Sequence, residues 1–183
     1  MSVEQGAVAP AWTRMSGMRT AAVSFAAALC GLACLLRYGL SARGFVDAFV
    51  AAVLVVLAAI DLRHRILPNV IVLPAAALTY VAQLAFFPSH ALEWTIAAVG
   101  CALFFLVTLL AYPAGLGMGD VKLGLLLGAA LGKTVVAALF VGLFGAGLFG
   151  VVLVISQGAE ARKKAIPLGP FLAAGALVLL LFG

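Results

Sequence analysis

Ala58-Ala-Ile-Asp61-Leu-Arg63-His64-Arg65-Ile-Leu-Pro68-Asn69 is a polar interruption between two long apolar runs. Pro68 and Asn69 stop or restart a helix here, and Asp61 lies where the first run ends. A second interruption, Pro113-Ala-Gly115-Leu-Gly117-Met-Gly119-Asp120-Val-Lys122, has the same character, with a carboxyl beside chain breakers. Around these breaks the 183-residue chain is 66% hydrophobic and only 9% charged, whereas roughly a quarter of the residues of a soluble domain are charged. A spanning helix needs about 20 mostly apolar residues. Hydropathy and turn signals predict helices over 20–38, 45–62, 67–87, 91–113, 119–131, 134–156 and 166–182. The fold class is therefore an all-α, polytopic membrane bundle of about seven transmembrane helices (six to seven). It forms a single domain over 20–183 after a tail at 1–19. No room is left for a separate soluble catalytic or nucleotide-binding unit.

Seven helices place the termini on opposite sides, and the basic residues choose between the two orientations. With the N-terminus cytoplasmic, the inner ends hold eight: Arg14, Arg19, Arg63, Arg65, Lys122, Arg162, Lys163 and Lys164. The outer ends hold three, Arg37, Arg43 and Lys133, as the positive-inside rule requires. The same orientation sorts the six acidic residues. Asp47 begins the second helix at the outer face and Asp61 ends it, about 21 Å away at 1.5 Å per residue. Glu93 begins a helix at the outer face, and Glu4 and Glu160 fall in cytoplasmic segments. Asp61 and Asp120 alone occupy cytoplasmic ends of hydrophobic helices, so these two can meet.

The remaining composition excludes several functions. The net charge of +5 comes from residues at helix ends, where it sets orientation and meets anionic lipid. With no basic cluster larger than Arg162-Lys163-Lys164, nucleic acid is not an expected partner. Cys30, Cys34 and Cys101 lie in apolar stretches with no CxxC pair and no companion His, so no metal site or cofactor is expected. His64 reads as a solvated loop residue. Trp12, Trp94 and Tyr38 read as interface anchors. Gly124, Gly128 and Gly132, like Gly142, Ala146 and Gly150, recur at the spacing that lets transmembrane helices approach closely. Packing within one subunit is the expected use, and the oligomeric state stays open.

An ionisable carboxyl at membrane depth is costly and marks function. Two such carboxyls close together in a poorly solvated site share a proton. One can then deprotonate water while the other hydrogen-bonds a scissile carbonyl oxygen. Gly117 and Gly119 would supply close backbone approach and unusual dihedrals before Asp120. Lys122, at i+2, cannot share the helix face of Asp120 and reads as a headgroup anchor, with Arg63 and Arg65 snorkelling likewise. Two other readings stand beside this one. Asp120 is well placed as a helix cap, with no chemistry at all, and a proton- or ion-coupled transporter would also use membrane carboxyls. Carrier sites favour the midplane, whereas these acids share one face. Asp61 ends a helix, where the dipole disfavours negative charge.

Gly117-Met-Gly119-Asp120-Val-Lys122 resembles the GxGD signature of intramembrane aspartic proteases in the form used by type IV prepilin peptidases. Asp61 followed by Arg-His-Arg-Ile-Leu-Pro68-Asn69 resembles that family's first aspartate segment. Ile166-Pro167-Leu-Gly169-Pro170-Phe171 resembles the Ile-Pro-Phe-Gly-Pro start of its last helix. The resemblance covers about residues 45–183. It implies a cytoplasmic-membrane hydrolase that cuts the short basic leader from a prepilin substrate on the cytoplasmic side. Asp61 and Asp120 would be the catalytic pair, Gly117, Gly119 and Lys122 their support, and Pro68, Asn69, Pro167, Gly169 and Pro170 substrate-positioning residues. Larger members carry an N-terminal insertion with cysteine pairs and also methylate the new N-terminus. Nothing in this chain supplies that insertion, so the resemblance implies cleavage without methyl transfer, as in the minimal enzymes serving Flp-type (tight-adherence) pili.

Overall fold

The computed structural model describes residues 17–113, 115–157 and 167–183, with side chains from residue 20 onward save that of Gln157. Arg14, Trp12 and Glu4 of the tail, and the segment holding Glu160, Arg162, Lys163, Lys164 and Ile166, lie outside the described residues, as does the side chain of Arg19. Among the described residues every regular element is helical: α1 Gly17–Tyr38, α2 Ala42–His64, α3 Asn69–Phe86, α4 Ala91–Ala111, α5 Met118–Leu131, α6 Val135–Gln157 and α7 Gly169–Phe182. Short 3-10 turns, Pro88–His90 and Gly132–Thr134, join α3 to α4 and α5 to α6. The all-α expectation holds, and the seven helices fall where hydropathy predicts them.

Among the described residues five stretches are long and apolar enough to span a membrane, with α5 and α6 together forming one stretch, Met118–Ser156. Helix α7 is too short to count among them. At 1.5 Å per residue the 14 residues of α5 or α7 cover about 21 Å, less than a hydrocarbon core of roughly 30 Å. The chain is a multi-pass membrane protein in which α5 and α7 are each shorter than that thickness.

Helix α5 forms the centre. Its Leu123, Leu126, Leu127 and Ala130 are buried with Val50, Leu54 and Leu57 of α2, Phe105 of α4 and Leu172 of α7 in one core. Small residues permit this packing. A Cβ on Gly128 would meet the backbone of Ala97 and Ala98, and one on Gly124 would lie 2.6 Å from Phe105. The expected glycine stripe is thus consumed against α4 inside one subunit. Gly142 of α6 likewise faces the backbone of Phe171 and Leu172. Buried Gln83 of α3 donates from Nε2 to the Ala130 carbonyl, 3.2 Å away, and so ties α3 to α5.

Helix ends follow local chemistry. Ser41 caps α2 by accepting from the Gly44 N–H at 3.1 Å, which starts that helix three residues before the predicted 45. It also continues past Asp61 to His64, so His64 is a half-buried helical residue rather than a loop residue. The order of these ends builds two poles. One holds Asp61, residues 115–120 and the start of α7; the other holds Arg43, Asp47, Glu93 and Lys133.

Candidate active site

Asp61 sits in the last turn of α2 and is only 6% exposed. Arg65 closes the helix in the left-handed region, at φ 51° and ψ 38°, with its N–H donating 2.9 Å to the Asp61 carbonyl. It is the one non-glycine residue with positive φ among those described, a conformation most side chains avoid. That sharp stop turns the chain through Ile66 and Leu67 to Pro68, the N-cap of α3. The carboxylate of Asp61 is therefore left at the mouth of the bundle with no further helix of its own above it.

Its partner comes from the far end of the sequence. The Gly169 N–H, at the start of α7, donates to Asp61 Oδ2 at 3.1 Å. A helix N-terminus presents free N–H groups and positive dipole charge to an anion, so α7 supplies what the end of α2 withholds. Residue 169 has to be glycine for this contact, since a Cβ there would stand 2.5 Å from Asp61 Oδ2. Pro170 follows in the first turn of α7, where its missing N–H costs nothing.

Asp120 is the third residue of α5, after the N-cap Gly117. Its Oδ2 accepts from the Gly117 N–H at 3.0 Å and its own N–H donates to the Gly117 carbonyl at 3.0 Å. Asp120 thus does cap the helix, as one sequence reading held, and the same carboxyl also faces open space. Together with Asp61, Arg65, Leu67, Gly119, Pro167 and Leu168 it lines one cavity of about 420 Å³. The two carboxyls singled out in the sequence are brought to one site.

The glycines act differently from the expectation of unusual dihedrals. Gly117 is extended at φ −111° and ψ 159°, and neither Gly117 nor Gly119 has positive φ. A Cβ on Gly117 would find nothing closer than 3.8 Å, whereas one on Gly119 would stand 3.0 Å from Leu67 Cβ. Close approach therefore applies at Gly119, where the α2–α3 loop lies against α5. Helical backbone at Gly119 and an extended N-cap at Gly117 suffice to aim Asp120.

Lys122, read from the sequence as a headgroup anchor, has a partner within the protein. Its Nζ donates to Asn69 Oδ1 at 2.7 Å, which fastens the start of α3 to the first turn of α5. Lys122, Pro68, Asn69 and Pro170 do not line the cavity, while Pro167 does and Gly169 touches Asp61 directly. Arg65, which the sequence reads as a snorkelling residue, lines the cavity. Its i,i+4 spacing from Asp61 was the available signal. Gly115 and Leu116 also line it, with no chemical mark in the sequence beyond their place in the glycine-rich turn. No group of three metal-ligating side chains occurs among the described residues.

Comparison with known proteins bears on this geometry. The profile of the Type IV leader peptidase family matches residues 48–155, which includes both aspartates. A Bacillus subtilis (strain 168) protein named prepilin leader peptidase/N-methyltransferase is 29% identical over 152 residues, covering 81% of this chain and 60% of the relative. A protein of the same name from Xanthomonas campestris pv. campestris is 30% identical over 154 residues, covering 80% of this chain and 53% of the relative. The chain thus spans little more than half the length of these curated relatives. No solved structure gives a significant match. By the extent of the profile match, the chain belongs to the type IV leader peptidase family.

Proposed function

We propose that this protein is a membrane aspartic endopeptidase that removes the short basic leader peptide from type IV-like prepilins. The observation that carries the reading is that Asp61 and Asp120, from opposite sides of the α2–α5 sequence, line one cavity at one pole of the bundle. Each carboxyl is held by a backbone N–H, from Gly169 and Gly117 respectively. Neither is paired with a Lys or Arg in an ion pair among the described residues.

In the proposed reaction the pair holds one proton between its members. The ionised carboxylate takes a proton from a water molecule as the water oxygen attacks the scissile carbonyl carbon. The protonated carboxyl hydrogen-bonds and then protonates the developing oxyanion. Collapse of the tetrahedral species returns that proton to the dyad, passes another to the leaving amine and regenerates the shared-proton state. The roles belong to the pair. Arg65, at the rim of the cavity, is a cation that would meet substrate carbonyls better than a basic leader, so it favours the segment at and beyond the scissile bond.

The same reading places the dyad on the cytoplasmic face of the bacterial inner membrane, from the basic residues at the inner helix ends, and the narrower substrate as an Flp-type pilin. It covers cleavage alone. Methyl transfer, included in the names of both relatives, is not part of it. Incubating the purified protein in liposomes with a leader-bearing prepilin tests the proposal. Wild type yields the processed pilin with an unmethylated new N-terminus, and Asp61→Asn and Asp120→Asn of equal thermal stability yield none. An Asn variant that cuts near the wild-type rate would overturn it.

A further inference from the structure

The pole opposite the dyad carries two cavities that share a wall. One is an apolar groove of about 710 Å³ between α4 and α6, lined by Ile96, Gly100, Phe104, Val136, Leu139 and Leu143. The other is a smaller cleft of about 150 Å³ with Arg43, Gln83, His90 and Trp94 in its wall. Glu93 and Lys133 line both. A polar cleft thus opens into an apolar groove at a point marked by one anion and one cation. The side chain of Lys133 has no partner among the described residues, and its N–H is held by Glu93 Oε1 at 3.2 Å. Arg43, by contrast, is engaged with Asp47 at 3.5 Å.

The dimensions of the groove select its occupant. From Glu93 to Phe104 the α4 wall runs about 16 Å at 1.5 Å per residue, close to half of a hydrocarbon core of roughly 30 Å. A transmembrane helix of a substrate or of a second copy needs the full thickness, whereas a chain of one leaflet needs half. The groove begins at charged residues and ends in phenylalanine and leucine, in the same order as headgroup and tail. Its floor is also unfilled, since a Cβ on Gly100 would meet no atom within 4 Å.

We infer that this pole binds a phospholipid of the leaflet opposite the dyad, its acyl chain in the α4–α6 groove and its phosphate on the ammonium of Lys133. The site is separate from the carboxyl pair and stands whether or not the pair cleaves prepilins. Native mass spectrometry of the full chain in detergent, titrated with dioleoyl-phosphatidylethanolamine, tests it. Wild type retains one bound lipid, and dioleoylglycerol, which has the tails without the phosphate, binds about fivefold more weakly. Lys133→Ala loses a similar factor, and Gly100→Phe, which fills open space, loses about tenfold or more while melting at the wild-type temperature. Unchanged lipid retention in a folded Gly100→Phe would overturn the inference. So would a Gly100→Phe effect confined to prepilin binding, or to the oligomeric state, with lipid binding intact; the groove would then belong to a protein helix.

Discussion

The two aspartates of α2 are buried to nearly the same extent, 3% exposed at Asp47 and 6% at Asp61, yet their surroundings differ in kind. Asp47 lies one turn into the helix with Arg43 at i−4, and the Arg43 Nε stands 3.5 Å from its Oδ2. Arg43 offsets part of its charge from within the same helix, although Oδ2 is buried with no hydrogen-bond partner, and Asp47 lines neither pole's cavity. Asp61 has Arg65 at i+4 on the rim of its cavity, but the two form no ion pair. A backbone N–H from α7 holds one of its oxygens, and the side chain faces a cavity that a second carboxyl also lines. Burial alone therefore does not separate a structural carboxylate from a reactive one. What separates them is whether a counter-charge closes the site or a cavity with a second acid opens it.

Substitutions can break this contrast at several strengths. The largest effect is expected for Asp61→Asn or Asp120→Asn, which should lower the cleavage rate by about 10³-fold or more while helical content holds. Asp47→Asn should leave cleavage within about twofold and alter stability by about 1 kcal/mol or less, because its partner is partly exposed. Equal loss of cleavage in the folded Asp47 variant would erase the distinction between the two acids.

Gly169→Ala comes next. It places a methyl group against Asp61 Oδ2, and a displacement of that size at a reacting group costs about 10²-fold. Measured as kcat on a prepilin, the loss should appear with little change in thermal stability. A smaller effect than at Gly169 is expected for Lys122→Ala, which removes the bond to Asn69 and should cost about 1 kcal/mol of stability, with cleavage reduced only a few-fold. Asn69→Ala should have the same effect, and the double variant should be no worse than either single one.

Much of this contrast is legible in the sequence. The apolar runs give the helices, the breakers give their ends, and the distribution of Lys and Arg groups Asp61 with Asp120 and apart from Asp47. Local signals of this kind depend on neighbours a few residues away. The contacts that finish the site do not. Gly169 approaches Asp61 across 108 positions of chain and Lys122 reaches Asn69 across 53, and no spacing rule reports such pairs. Nor does hydropathy reveal that Arg65 ends α2 in a left-handed turn, because the residue is neither glycine nor asparagine. The expectation that Gly117 adopts an unusual dihedral fails for a related reason. An extended N-cap accommodates any residue, so the sequence pattern alone does not show which glycine is sterically required. At this site it is Gly169, with Gly119 tight against Leu67.

The central claim is that Asp61 and Asp120 act as one unit. The most direct measurement is a double-mutant cycle on prepilin cleavage, comparing Asp61→Asn, Asp120→Asn and the double variant at matched stability. Groups that share one proton are grossly non-additive. The account predicts that the double variant is no slower than either single one. A double variant whose loss equals the product of the two single losses would contradict it.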